Sequence, residues 1–116
     1  MAVLTPTANE AINYLNFIAA NDLALSDNVG EYRRTECYIR WFGDALRSLS
    51  QSSSPGIEPL LALTRDELVT LLERRDDLKD ERMRLLQSRQ EARSKLEEEI
   101  QTMRRKRFTQ LTGNPV

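Results

Sequence analysis

Apolar residues recur along most of this chain at spacings of three and four, which is the period of an amphipathic helix. The clearest run is Tyr32, Thr35, Ile39, Phe42, Leu46 and Leu49. Tyr38, Trp41 and Ala45 widen it on one side, and Arg33, Glu36, Arg40, Asp44 and Arg47 occupy the other. An apolar arc of about half a helix is wider than the roughly 100° of an ordinary surface helix. Two packing partners are therefore expected, and the second can belong to another chain. Upstream, Ala8, Ile12, Leu15 and Ala19 share a face, with Ala11 and Ile18 beside it and Asn9, Asn13 and Asn16 opposite. Thr7 and Glu10 have capping-box spacing after Pro6. The stretch "NDLALSDNVG" mixes turn formers with polar residues, so this first helix is expected to stop near Asn21.

"SQSSSPGIEP" is the strongest breaker and reads as a linker. Beyond it, Thr64 and Glu67 have capping-box spacing, with Leu63 and Leu68 placed as a hydrophobic staple. No further stop appears before Gly113, which suits a C′ position, with Pro115 beyond. A pattern this long without breakers points to a coiled coil. With Leu68 opening the heptad, one row reads Leu71, Leu78, Leu85, Ala92 and Glu99. The other reads Leu68, Arg75, Arg82, Arg89, Leu96 and Met103. A strong two-stranded zipper needs apolar residues in both rows. This helix therefore reads as half of an interface, a Leu ridge flanked by arginines. Its complement is either the aromatic face of the second helix folded back or a second protein.

The fold expected is all-α, with two short amphipathic helices, a Ser/Pro/Gly linker and one long coiled-coil-like helix. Residues 1–49 form the two-helix module, 50–63 the linker, 64–112 the long helix and 113–116 a tail.

Composition narrows the chemistry. The 116 residues include no histidine and one cysteine, Cys37, so the usual general base and an internal disulfide are both missing. The glycines are isolated, so no phosphate-cradling loop exists. "DDLKDE" lacks the spacing and glycine of a calcium loop and reads as a solvated helix face. Net charge is -1, which argues against bulk binding to nucleic acid or anionic membrane. "RRKR" at residues 104–107 reads as cations matched to a helix C-terminus. No apolar run approaches a membrane span, and the N-terminus lacks a signal-peptide pattern. No enzyme, cofactor, metal or small-molecule ligand is expected, and a reducing cytoplasm is the simplest compartment.

The functional expectation is a non-enzymatic, protein-binding regulator, homodimeric, that covers an apolar surface of a partner. The candidate interface residues are Tyr32, Tyr38, Ile39, Trp41, Phe42, Leu46, Leu49, Leu71, Leu78 and Leu85. "YIRWFGDALRSL" followed, after the linker, by "LTRDELVTLLERRDDL" resembles in build the small all-helical anti-activators of quorum-sensing transcription factors. That resemblance implies a transcription factor as partner, with its dimer interface as target. The alternative is a structural or assembly coiled coil, as in a phage, a secretion apparatus or the cytoskeleton. A nucleic-acid binder acting through the basic end is the weaker alternative.

Overall fold

The computed structural model describes residues 6–113. It contains two helices, α1 (Pro6–Ser50) and α2 (Ile57–Thr112). This corrects the expected architecture. The two short helices are one helix of 45 residues, and α2 begins at Ile57 rather than after Leu63. The breaker is confined to residues 51–56. Gly56 there adopts φ +81°, a left-handed conformation that favours glycine.

The expected stop at Asn21 fails for a physical reason. Turn-forming side chains break helices by competing for local backbone groups. Here Asn21 and Asn28 hydrogen-bond to the other helix instead. The Thr64–Glu67 cap is likewise overturned. Thr64 lies inside α2, and its hydroxyl donates to the Leu60 carbonyl at 2.7 Å. Pro59 sits in the first turn of α2, where a missing N–H costs nothing. The Thr7 side chain and Pro115 lie outside the described residues. Gly113 does act as the C′ residue, at φ +73°, its N–H donating to the Thr109 carbonyl at 2.8 Å. No break occurs at Ser88.

The chain divides into two compact units, and both helices run through both. The first contains residues 6–25 of α1 and 84–112 of α2. The second contains residues 26–50 and 57–83, with the connecting turn.

In the second unit the helices lie antiparallel, and the buried residues are Asn28, Thr35, Leu61, Thr64 and Leu78. Every one falls on the heptad rows. Leu78 has no exposed surface and Asn28 has 2%. The Asn28 amide donates to the Leu78 carbonyl at 2.9 Å, and its oxygen accepts from Arg82 Nε at 3.1 Å. The Arg82 guanidinium also lies 4.7 Å from the Tyr32 ring centroid. Arg75 meets Glu36 at 3.4 Å, and Arg74 pairs with Glu31, whose hydrogen bond raises the guanidinium above its ordinary pKa. The arginine row of α2 thus has its complement within the chain.

In the first unit, also antiparallel, the buried residues are Ala11, Asn21 and Ala92, again on the rows. The Asn21 amide donates to the Leu85 carbonyl at 3.3 Å, and Arg89 Nε donates to Asp22 at 2.6 Å. Ile12 and Leu15, expected on the packed face of the first helix, are exposed; Ala11 and Ile18 line the seam instead. Glu99, on the same rows, meets Glu10. Desolvation, then the hydrogen bond with Glu10 and its charge, raise the Glu99 carboxyl above its ordinary value.

Two predictions follow from this packing. Leu78→Ala should lower unfolding free energy by about 2–5 kcal/mol, as a fully buried Leu does. Asn28→Ala should cost about 1–3 kcal/mol, because Arg82 Nε loses its acceptor. Urea unfolding followed by circular dichroism measures both, and a neutral Asn28→Ala would remove Asn28 from the seam. A third prediction concerns pH. A carboxyl with a raised folded pKa contributes stability below its unfolded value, and that stability is lost as pH rises through the folded value. Glu10→Gln should therefore raise the melting temperature at pH 7 relative to wild type, and the gain should shrink as pH falls towards 4.5, the ordinary carboxyl value.

Candidate protein-binding surface

The heptad rows decide which apolar side chains remain available. Of the ten interface candidates, Tyr32, Ile39, Phe42, Leu46, Leu49, Leu71, Leu78 and Leu85 all lie on those rows. Leu78 is buried and the other seven are half-buried. They serve first to hold α1 and α2 together. Tyr38 and Trp41 lie off the rows, 54% and 66% exposed. The structure thus separates residues that the sequence pattern had grouped in one arc.

Trp41 is held from below. Its ring meets Phe42 edge to face, with centroids 5.1 Å apart and planes at 89°. Such pairs favour a fixed relative orientation. The Phe42 ring is half-buried, so Trp41 projects from an anchored neighbour. One turn earlier, Arg33, Arg34, Cys37 and Tyr38 border a shallow surface depression. Cys37 is exposed, with its sulfur 3.5 Å from Arg40 Nη2. On α2 of the same unit, Leu60, Leu63, Val69 and Met83 are exposed. The combination of a propped indole, a neighbouring phenol and flanking guanidinium groups suits a protein surface with an apolar centre and acidic edges.

The first unit carries a recess of about 440 Å³ bordered by Asn13, Tyr14, Phe17, Ser88, Glu91, Ala92 and Lys95. Ala92, the small residue of the Leu row, borders it and is buried. Phe17 at its edge is 48% exposed. The recess is bordered by one acid and one base, and Glu91 accepts from the Gln87 amide at 3.4 Å. Among the described residues, no group of three or more His, Cys, Asp or Glu side chains is placed to hold a metal ion. None of the described helices is long and apolar enough to cross a membrane.

No protein-family model matches this chain, and neither the curated proteins nor the solved structures compared with it include a match. Function must be argued from the surface itself.

Asp22, Asn28 and Glu36, which meet the arginine row, and Asn21, which meets the Leu85 carbonyl, have no place as partners in the sequence reading. A signal existed: the spacing of three and four continues back from Tyr32 through Asn28, Leu25, Asn21, Ile18, Tyr14 and Ala11.

Trp41 is the chain's one tryptophan, so its fluorescence reports this surface directly. Emission should be that of a solvated indole, readily quenched by acrylamide. Trp41→Ala should change unfolding free energy by less than about 0.5 kcal/mol, as exposed substitutions usually do. A blue-shifted, unquenched spectrum would instead mean that the indole is covered in solution.

Proposed function

We propose that this chain is a structural or assembly coiled-coil component whose paired helices present outward-facing side chains to other proteins. The observation that carries this reading is the closure of the arginine row. Arg75, Arg82 and Arg89 find Glu36, Asn28 and Asp22 within the chain, and Arg74, beside the row, finds Glu31. The pairing of the long helix with α1 weakens one motive for an inhibitor that occupies a dimer interface, that of a half-interface open to a partner's helix. Paired helices whose row arginines each have a partner on the facing helix are suited to a structural role, with further contacts made by their outer faces.

The exposed Tyr38 and Trp41 favour a second reading, that of a regulator that docks on a protein, such as an anti-activator on a transcription factor. Both readings use the same surface, and partner identity separates them. A photoreactive amino acid placed at Trp41, followed by cross-linking in the native cell and mass spectrometry, supplies it. Components of a multi-subunit assembly are the expected products. A single transcription factor whose DNA binding is lost on adding the purified chain would replace the assembly reading with the regulatory one.

A further inference from the structure

Within the first unit, one face of α1 carries a pattern that complements itself. Ala8, Ile12, Leu15 and Ala19 follow spacings of four, three and four, which read the same in either direction. Ile12 is 42% and Leu15 53% exposed, although α1 there has larger apolar side chains than an open surface requires. The Arg89–Asp22 pair fixes which part of α2 shares this face. Asp22 lies two turns beyond Leu15, and Arg89 lies between Leu86 and Arg93. Leu86, 46% exposed, and Arg93 with Glu97 one turn later are therefore on the same side.

We propose that this face is the site where a second copy of the chain docks, with the two α1 segments antiparallel across a two-fold axis between Ile12 and Leu15. The partner's Leu15 then lies over Ile12, and the partner's Ala19 over Ala8. Alanine at both ends lets the helices approach closely, since interaxial distance follows the size of the contacting side chains. Charge also selects a second copy. Residues 11–21 of α1 contain no charged side chain, so no like charges meet. On α2, the same axis sets Arg93 beside the partner's Glu97, and the reverse, giving opposite charges at the edge. A strongly charged partner would find nothing on α1 to pair with. A closed two-fold contact of this kind uses the same patch on both subunits. It does not involve Trp41 and is independent of the assembly reading.

The test is the mass and orientation of the particle. Light scattering after size exclusion at tens of micromolar should give twice the mass of one chain. Ile12→Lys and Leu15→Glu should each give a monomer with unchanged helical content by circular dichroism. Mixing the two variants should restore the dimer, because the new charges face each other only in the antiparallel arrangement. Leu63→Glu, at a 67% exposed position in the second unit, should remain dimeric. In a Cys37→Ala background, Ile12→Cys chains mixed with Leu15→Cys chains should oxidise mainly to the mixed disulfide. A monomeric wild type, dimeric single variants, or preferential cross-linking of Ile12→Cys to itself would each overturn the proposal.

Discussion

The structure depends on a polar contact in an apolar seam. Asn28 is buried against α2, donates to the Leu78 carbonyl and accepts from Arg82. A buried amide without partners costs several kcal/mol, so the seam is tolerable only in the register that supplies them. Sliding one helix by a turn would strand Asn28, Asn21 and the arginines that α1 now holds. A buried Asn within a coiled-coil seam is a known way to fix register at a cost in stability. The cost is visible here: Arg75 Nε and Arg82 Nη2 are buried without a hydrogen-bond partner. The Tyr32 ring offsets part of it by lying beneath the Arg82 guanidinium.

How much of this was readable follows from which interactions are local. Both rows of α2 and its Gly113 terminus follow from spacing and from the backbone preference of glycine, which are short-range properties, whereas its continuity through Ser88 is seen only in the structure. The continuity of α1 is not short-range. Asn21, Asp22, Ser26, Asp27 and Asn28 lower helix propensity, and a local reading ends the helix there. In the structure Asn21, Asp22 and Asn28 are used by α2, which lies more than fifty residues away in sequence for Asn21 and Asp22. Tertiary pairing overrides the local preference. Thr64 shows the same ambiguity from the other side. A threonine followed three residues later by Glu fits a cap, but its hydroxyl satisfies itself on the Leu60 carbonyl in mid-helix.

The candidate surface was legible only in part. Tyr38 and Trp41 were singled out with eight residues that prove to lie on the seam rows, and periodicity alone could not divide them. The division needed the position of α2, which makes Tyr32, Ile39 and Phe42 inward and leaves Tyr38 and Trp41 outside. The same knowledge reverses the first segment of α1. Ala8, Ile12, Leu15 and Ala19 had the appearance of a packed face, yet the neighbouring row of Ala11, Tyr14, Ile18 and Asn21 is the one that meets α2.

The arginine row also bears on which associations the chain can make. If α2 carried leucine in both rows, it would pair readily with another copy of itself or with any apolar helix. With Arg75, Arg82 and Arg89 in one row, such a pairing would bring guanidinium groups together without acceptors, and like charges in a seam oppose association. Only α1, with its acids and asparagines at matching positions, completes that row. The polar seam therefore makes the hairpin prefer itself over intermolecular exchange of its helices. Association is then left to faces outside the seam, where apolar residues are exposed and few charges intervene. Internal specificity and outward stickiness are in this way assigned to different sides of the same two helices, and a change on one side need not disturb the other.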